Sequence, residues 1–380
     1  MSSAPAGRGL EGVVASPSAI SFVDGTKGQL LYRGYNILDL AEHSTFEEVC
    51  WLLWHGELPT PKELEDLRLQ LGQHAALPRG VVGLLQGSFE FAPHHAPEPM
   101  DALRTALSSL GLVDPPPAEQ TVASNLPVAV KLVARTPTLV GAYQRLREGQ
   151  EPVAPKAGAS IAENLLRGLT GKEPGPQAVR AMDVALILHA DHEFNASTFT
   201  ARVVASTLAD MVSAVTAAMG ALKGPLHGGA NQAVMKALKQ VGSPDNVEPW
   251  IKAELGAGRK IFGFGHRVYK TMDPRAIVLK RLSERVGRET SQLAWFEMSQ
   301  RMEQVVMREK KLNPNVDFYS ASLYHTMGIP DDLFTAIFAV SRMSGWTAHV
   351  LEQYGDNRLI RPRADYTGPK ERPFPRRGPS

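Results

Sequence analysis

The chain has 380 residues, enough for one large domain or two, and its hydrophobic content of 43% is that of an ordinary globular protein. Its 41 Lys and Arg nearly balance its 39 Asp and Glu. This balance excludes a protein whose main task is to grip nucleic acid or an anionic membrane, although a small anionic ligand needs only a local cluster of cations.

The first features along the chain concern its compartment. Residues 1–9 carry one Arg and no apolar run, so we expect neither a secretory signal nor a transit peptide. The only cysteine, Cys50, lies in an apolar helical run, and one cysteine cannot form a disulfide within one chain. Both observations predict a cytoplasmic protein.

The predicted elements are almost all helical after one hairpin. Residues 19–35, with a turn at Asp24-Gly25, predict a small N-terminal β-hairpin and almost no other sheet. Thr45 with Glu48, and Thr60 with Glu63, have the spacing of capping boxes and mark two helix starts. The remaining helices are predicted over 61–71, 99–110, 119–147, 159–168, 176–190, 198–222, 229–240, 246–255, 273–286, 291–311, 317–327 and 331–353.

The most membrane-like part of the chain, residues 203–222, lies within the predicted helix over 198–222. Its apolar residues recur at helical spacing, and its Ala, Ser and Gly residues allow another helix to approach closely. Asp210 and several Ser and Thr make it too polar to span a bilayer. We expect one buried core or subunit-contact helix.

The composition of the stretch from Gly263 to Arg275 predicts a binding site more clearly than it predicts a regular secondary-structure element. Two glycines allow conformations closed to other residues and place His266 on a tight turn. Asp273 is expected to cap a helix whose first residue is Pro274. Arg275 then lies in the first turn, where its charge adds to the positive helix end and favours an anion.

Three further clusters carry ionisable side chains. Residues 189–193 hold His189, His192 and Glu193, but the spacing differs from the zincin pattern of two His four residues apart with Glu after the first. His227 lies at a break between two helices, where a helix N-terminus keeps imidazole neutral and able to donate to an oxyanion. Asp317 follows a proline and precedes a helix, so an ordinary N-cap stays an alternative to a catalytic role.

Taken together, these clusters and their order resemble the citrate synthase family from about residue 9 to residue 373. The resemblance implies an all-α fold with a large helical domain, 1–228 and 329–380, into which a smaller helical domain, 229–328, is inserted. It also implies a homodimer with shared active sites that binds acetyl-CoA and oxaloacetate. It implies no metal and no bound cofactor, because acetyl-CoA is a substrate.

The resemblance also assigns roles to individual residues. It implies that the catalytic residues are His227 for the enolic oxygen of acetyl-CoA, His266 for the ketone of oxaloacetate and Asp317 for the methyl proton. Carbon–carbon bond formation from a thioester needs these three parts, a base, an enolate donor and an electrophile activator. Oxaloacetate is expected to contact His192, Arg275, Arg342 and, from the neighbouring subunit, Arg361. CoA is expected to contact Phe262, Gly263, Phe264, Gly265, Arg267 and Lys270.

The resemblance favours citrate synthase, which condenses acetyl-CoA with oxaloacetate and hydrolyses the citryl thioester. A 2-methylcitrate synthase that uses propionyl-CoA stays open, because one methylene changes discrimination by only about 1 to 3 kcal/mol. Two alternatives come from other classes. One is a metal hydrolase built on His189, His192 and Glu193, and the other is a catalytically inactive helical scaffold.

Overall fold

The computed structural model describes residues 8–10, 12–91, 94 and 96–374. Its N-terminal sheet contains the predicted hairpin and one further strand. β1 (Ser21–Asp24), β2 (Gln29–Tyr32) and β3 (Tyr35–Asn36) pair antiparallel in that order, with Phe22 opposite Leu31. Between β2 and β3, Arg33 and Gly34 both have positive φ, 48° and 90°, as a two-residue type I′ turn requires. The hairpin is confirmed, and the short third strand was not predicted.

Sixteen α-helices follow within the described residues. They are α1 (Ile37–His43), α2 (Phe46–His55), α3 (Pro61–His74), α4 (Arg79–Ser88), α5 (Pro99–Val113), α6 (Val122–Arg147), α7 (Ile161–Thr170), α8 (Pro176–His189), α9 (Ala196–Ala205), α10 (Met211–Leu222), α11 (Ala230–Val241), α12 (Val247–Gly256), α13 (Pro274–Glu289), α14 (Leu293–Lys310), α15 (Val316–Thr326) and α16 (Phe334–Gly355). Short 3₁₀ turns lie at Arg8–Leu10, Pro244–Asn246 and Asp331–Leu333.

Local capping explains several of these boundaries. Thr45 with Glu48 and Thr60 with Glu63 form complete capping boxes at the starts of α2 and α3, which confirms both predicted starts. Helices α1 and α4 were not predicted. α4 contains three glycines and has no side-chain cap, so its sequence signal is weak and tertiary packing fixes it.

The prediction of one helix over 198–222 is wrong. The chain forms α9 and α10, separated by residues 206–210, where Leu208 has a φ of +63°. Asp210 then caps α10 by accepting a hydrogen bond from the backbone N–H of Ser213 at 2.9 Å. Asp210 and Ser213 thus start a new helix inside an apolar pattern that is otherwise continuous. The N-cap bond stabilises this start more than the pattern favours one uninterrupted helix. None of the helices within the described ranges is long and apolar enough to cross a bilayer.

Helix α16 is the centre of the core. It is buried along nearly its whole length and packs against α2, α6, α8, α9 and α10. Close approach depends on small residues, since a Cβ on Gly345 would collide with the carbonyl oxygen of Ala190. This approach places Arg342 of α16 beside the loop that follows α8.

Helices α11 to α15 pack mainly on one another, and α13 also contacts α1 and α8. The division into a large domain, 1–228 and 329–380, and a small domain, 229–328, stays a prediction. Residues 1–7 and 375–380 of the predicted large domain lie outside the described residues.

Candidate active site

The segment that carries His266 is held by a second segment far along the chain. The Gly265 N–H donates to Asn313 O and the Asn315 N–H donates to Gly263 O, both at 2.9 Å, with Phe264 paired to Pro314. Gly263 and Gly265 have φ of +82° and +77°, so both adopt the left-handed conformations that the sequence predicts. The pairing brings the region around His266 next to the start of α15, which carries Asp317.

His266 presents one defined nitrogen to its surroundings. Its Nδ1 accepts hydrogen bonds from the backbone N–H groups of Val268 at 3.0 Å and Tyr269 at 3.2 Å. An N–H group can only donate, so the proton of the neutral ring lies on Nε2. Burial, together with the charge of Arg275, lowers the pKa of His266 to about 4. The ring is therefore neutral at pH 7, with Nε2–H available as a donor.

His192 lies directly beside His266. The two ring centroids are 5.2 Å apart, and His192 Nε2 lies 3.2 Å from the hydroxyl of buried Tyr269. Burial lowers the pKa of His192 well below its usual value, and Arg275, His266 and Arg342 add to the effect. Two loops, the one after α8 and the one before α13, thus supply two adjacent neutral imidazoles.

Arg275 is buried, at 2% exposure, and it is not a free cation at the helix end. Its Nε and Nη2 bind Asp273 Oδ1 at 3.0 Å and Oδ2 at 2.8 Å. Asp273 also caps α13 by accepting from the Arg275 N–H, which confirms the predicted cap before Pro274. Burial alone would lower the pKa of Arg275, but the Asp273 carboxylate outweighs it and raises that pKa. The anion-binding interpretation therefore has to include this ion pair.

Arg342 has the opposite character. Its exposure is 1%, its Nε donates to His189 O at 2.8 Å, and its Nη1 has no hydrogen-bond partner among the described residues. Burial lowers the pKa of Arg342 to about 10, so the side chain is still a cation at pH 7. A buried guanidinium with unused donors is suited to a carboxylate ligand.

His227 is oriented from α9 and α16. It lies in the turn before α11, and its Nε2 is 3.4 Å from the Ser197 N–H and 2.8 Å from Ser197 Oγ. Because the backbone N–H can only donate, Nε2 is the acceptor and the neutral ring carries its proton on Nδ1. Burial lowers the pKa of His227 to about 4, with Arg342 adding to the effect. Trp346 Nε1 donates to the same hydroxyl at 3.1 Å, which fixes Ser197 in turn.

Asp317 is the second residue of α15, and the N-cap of that helix is Asn315. The alternative of Asp317 as an ordinary N-cap is therefore wrong. Its Oδ1 is buried without a hydrogen-bond partner in the described chain. Burial raises the pKa of Asp317 to about 7, although Arg275 and Arg342 oppose the rise. A carboxylate with this pKa can accept a proton near neutral pH.

The His189 cluster is not arranged as a metal site. His189 Nδ1 lies 2.8 Å from the Ala185 carbonyl, while its Nε2 is buried without a partner in the described chain. His192 points to Tyr269, and Glu193 Oε1 accepts from the Val23 N–H at 2.7 Å. The three side chains turn to different partners. Within the described ranges, no group of three His, Cys, Asp or Glu could hold a metal ion.

Comparisons with known proteins identify the family of the chain. The family profile described as "Citrate synthase, C-terminal domain" matches residues 9–363. The chain belongs to the citrate synthase family. Citrate synthase 2 of Bacillus subtilis (strain 168) is 56% identical over 97% of this chain and 97% of its own.

Two other relatives bear on substrate choice and fold. The 2-methylcitrate synthase of Mycobacterium tuberculosis (strain ATCC 25618 / H37Rv) is 43% identical over 97% of this chain and 92% of its own. The solved ternary complex of carboxymethyl coenzyme A and oxaloacetate with citrate synthase from Thermoplasma acidophilum is 33% identical. It covers 97% of each chain with a TM-score of 0.89. This likeness confirms the all-α citrate synthase fold.

The structure does not bring Arg361 to the other residues that the citrate synthase family resemblance assigned. Arg361 is exposed on the extended segment after α16, one residue beyond Ile360, whose N–H donates to Ser206 Oγ at 3.0 Å. A role in a neighbouring subunit's site stays a prediction.

The predicted CoA residues form one edge of the His266 loop. Phe262, Arg267 and Lys270 are exposed, and the Phe264 ring packs on Phe318 with centroids 4.4 Å apart. Gly263 is buried, and a Cβ there would approach Val234 and Phe318 within 2.7 and 2.8 Å. The contacts of this edge with CoA stay predictions.

Three residues that sequence analysis left without a role support the site. Ser197 binds His227, Tyr269 binds His192, and Asn315 joins the two paired segments. Tyr269 and Asn315 stood inside motifs already singled out for their ionisable neighbours. Ser197 gave no local signal, because its partner His227 lies 30 residues away.

Proposed function

We propose that this member of the citrate synthase family condenses acetyl-CoA with oxaloacetate and hydrolyses the resulting citryl thioester to citrate and CoA. The main support is Asp317, a buried carboxylate whose pKa is raised to about 7 and which lies in the field of Arg275 and Arg342. Both arginines also act on neutral His192, and Arg342 acts on neutral His227. The 56% identity with Citrate synthase 2 of Bacillus subtilis adds to it. The Thermoplasma acidophilum relative forms a complex with oxaloacetate and a CoA analogue.

In this proposal, oxaloacetate lies against Arg275, Arg342 and His192. Two carboxylates of the substrate face two guanidinium groups, a pairing that is strongest when water is excluded. The Nε2–H of His266 then donates to the ketone oxygen of C2. This hydrogen bond makes C2 more electrophilic and stabilises the negative charge that develops on the oxygen.

Acetyl-CoA is activated by the other two residues. Asp317 takes a proton from the methyl carbon, and the electron pair moves to the thioester oxygen, where the Nδ1–H of His227 stabilises it. The enolic carbon attacks C2 of oxaloacetate and forms the carbon–carbon bond. As it does so, the thioester carbonyl re-forms, the ketone C=O π bond breaks, and the ketone oxygen takes up a proton to become a hydroxyl. Water then cleaves the citryl thioester, releasing citrate and the CoA thiol. Closure of the predicted domains would keep water out until condensation is complete.

We prefer acetyl-CoA to propionyl-CoA as the substrate because identity to the citrate synthase relative is 56%, against 43% to the 2-methylcitrate synthase. The relative kcat/KM for the two thioesters decides the matter. A higher value for propionyl-CoA would favour the alternative.

The proposal extends to partners and location. We propose a homodimer in which Arg361 reaches the neighbouring subunit's oxaloacetate, and CoA contacts at Phe262 to Gly265, Arg267 and Lys270. Acetyl-CoA is consumed as a substrate, so the proposed chemistry calls for no resident cofactor or metal. The single cysteine, which cannot form a disulfide within one chain, favours the cytoplasm.

The test is release of CoA thiol from acetyl-CoA plus oxaloacetate. We expect Asp317→Asn and His266→Ala to lower kcat by about a hundredfold or more, the scale of losing a base or an electrostatic stabiliser. Matched controls are Asp245→Asn and His55→Ala, both at exposed positions. A loss under tenfold in both active-site variants would refute the assigned roles.

The same assay separates the other classes. A metal hydrolase predicts that a chelator abolishes activity, so condensation that persists in chelator removes that alternative. An inactive scaffold predicts no thiol release from the unmodified chain under any condition.

A further inference from the structure

Two short segments carry the backbone into the proposed condensation site from opposite directions. Residues 263–265 and 313–315 run antiparallel, joined by Gly265 N–H to Asn313 O and by Asn315 N–H to Gly263 O, both at 2.9 Å. His266 follows the first segment immediately, and Asp317 follows the second by two residues. This contact therefore couples the position of an electrophile activator to that of a base.

The Asn315 side chain connects the residues that follow the two paired segments. Its Oδ1 accepts a hydrogen bond from the Asp317 N–H at 3.0 Å, and its Nδ2 donates to the Gly265 carbonyl at 2.9 Å. That carbonyl belongs to the peptide group shared by Gly265 and His266. One planar amide thus holds the peptide group that leads into His266 and the N–H of the residue that carries the base.

The bond from Asn315 Nδ2 to the Gly265 carbonyl matters because Gly265 is a glycine with an unusual backbone conformation. Gly265 has a φ of +77°, and a residue without a Cβ moves between backbone regions at little cost. Its peptide plane is therefore weakly fixed by local sterics. A donor on its carbonyl restricts the plane, and with it the direction in which the His266 side chain leaves the backbone.

An ordinary helix cap needs only one of the two bonds. Asn36 caps α1 with the same hydrogen bond, since its Oδ1 accepts from the N–H two residues on, that of Leu38, at 2.9 Å. In the part of the chain that the structure describes, the Nδ2 of Asn36 donates to no second segment. The bond from Asn315 Nδ2 to Gly265 is thus additional to capping.

We propose that Asn315 is a positioning residue that sets His266 relative to Asp317 through its amide bridge. The proposal rests on the proposed function, because it uses the roles given there to His266 and Asp317. Asn315 touches no reacting atom in it. Its effect is on the geometry in which the enolic carbon meets the polarised ketone.

Two substitutions keep the cap and remove the bridge. Asn315→Asp keeps an equally good N-cap oxygen but replaces the amide donor with a carboxylate oxygen that repels the Gly265 carbonyl. Asn315→Ser keeps a capping hydroxyl that is too short to reach Gly265. Asn36→Asp is the matched control, because it makes the same change at a cap that uses the same hydrogen bond on another helix.

We expect both Asn315 variants to lose about tenfold to a hundredfold in kcat, the scale of a small misplacement of reacting groups. The KM for oxaloacetate should change less than about threefold, because Arg275, Arg342 and His192 keep their contacts. The thermal midpoint should fall no further than in Asn36→Asp. A residue that served only stability would show the reverse pattern.

Two further readouts report the geometry directly. The ¹³C shift of C2 in bound oxaloacetate measures polarisation of the ketone by His266, and it should move towards the free value in both variants. The acid limb of the kcat profile reports the base in the complex. It should move to higher pH in Asn315→Asp, whose new carboxylate lies two residues from Asp317, and stay in place in Asn315→Ser.

Several outcomes would overturn the proposal. One is kcat within twofold of the unmodified chain with an unchanged carbonyl shift. Another is failure of both Asn315 variants to fold while Asn36→Asp folds, since this would assign Asn315 to stability. An unmodified chain that releases no CoA thiol would instead refute the proposed function, so the two failures are distinguishable.

Discussion

Two buried arginines influence every proposed catalytic group. Arg275 lowers the pKa of His192, His266 and Asp317, and Arg342 lowers the pKa of His192, His227 and Asp317. The two cations thereby act with burial to keep the imidazoles neutral. At Asp317 they act against burial, because burial raises the pKa of the carboxylate and the arginines lower it. A dianion bound between the arginines would cancel part of this field, so substrate binding and protonation are coupled.

The raised pKa of Asp317 implies a cost to stability. Its folded pKa of about 7 lies above the unfolded value of 3.8, so ionised Asp317 destabilises the fold, fully above pH 7 and not at all below about pH 4. We expect Asp317→Asn to be more stable than the unmodified chain at pH 8 by about 2 to 4 kcal/mol. This gain should shrink as the pH falls from 7 towards 4. Denaturant unfolding at pH 8, 6 and 5 measures it.

The comparison needs a control because the buried histidines also titrate. Their lowered pKa values destabilise the fold as the pH falls below 6.5, but they do so equally in both proteins and cancel in the difference. Asp245→Asn, at an exposed position, should show no gain. Equal stability of Asp317→Asn and the unmodified chain at all three pH values would contradict an ionised, buried Asp317.

For single residues, the sequence indicates the proposed reacting groups better than the residues that hold them in place. His192, His227, His266, Arg275 and Asp317 each lie in a motif with unusual glycine, proline or charge spacing. Ser197 and Tyr269 act on histidines that lie 30 and 77 residues away, and no local pattern reports such pairs. The ion pair of Arg275 with Asp273 was likewise hidden, because the same Asp was already explained as a cap.

Among the elements, the hairpin β1–β2 fixes two loops of the site at once. The Ser21 hydroxyl donates to Asp191, and the Val23 N–H donates to Glu193, on either side of His192. The Gly25 carbonyl accepts from the Lys270 N–H at 2.8 Å, four residues after His266. A turn that the sequence marks only as a hairpin signal therefore orients both histidines.

The turn tolerates no side chain at Gly25. An added Cβ would collide with the carbonyl oxygen and carbon of Val268, and these are backbone atoms that cannot rotate away. We expect Gly25→Ala to lower the thermal midpoint and to reduce kcat by about tenfold, because the His266 loop must shift. Thermal unfolding and the CoA thiol assay measure the two effects.

Gly256→Ala is the matched control, since nothing lies within 4 Å of a Cβ there. It should leave both quantities near those of the unmodified chain. Full activity in Gly25→Ala would show that the hairpin does not position the loop.

Element boundaries were predictable where capping chemistry is local. The capping boxes of α2 and α3 and the Asp273-Pro274 start of α13 are readable from three or four residues. The break between α9 and α10 was missed because Asp210 stands inside a continuous helical pattern. Helix α4 was missed because packing, not propensity, makes its glycine-rich segment helical.

At the scale of the whole molecule, one chain assembles all the proposed oxaloacetate contacts except Arg361. The segment after α16 is anchored where Asn357 Nδ2 donates to Ser206 O and Ile360 N–H donates to Ser206 Oγ. Beyond that anchor, residues 361–374 are exposed. An exposed, extended basic segment is suited to complete a site on a second copy.

If the active sites are shared between subunits, Arg361→Ala should behave distinctively in mixtures. Alone, it should need more oxaloacetate for half-maximal rate, because one guanidinium is lost from the dianion. Asp317→Asn alone should be nearly inactive. In a heterodimer of the two, one site combines Asp317 from one subunit with Arg361 from the other and is intact. Random exchange of subunits should therefore restore about a quarter of the unmodified activity at low oxaloacetate.

The mixture is informative only if heterodimers form, so each variant carries a different tag and the doubly tagged species is purified. Half of its sites should be intact, so the expected rate is about half that of the unmodified dimer. If Arg361 acts within its own subunit, every heterodimer site lacks either the base or the arginine, and no recovery follows. Doubly tagged dimers without recovery at low oxaloacetate would thus assign Arg361 to its own chain or to the solvated segment.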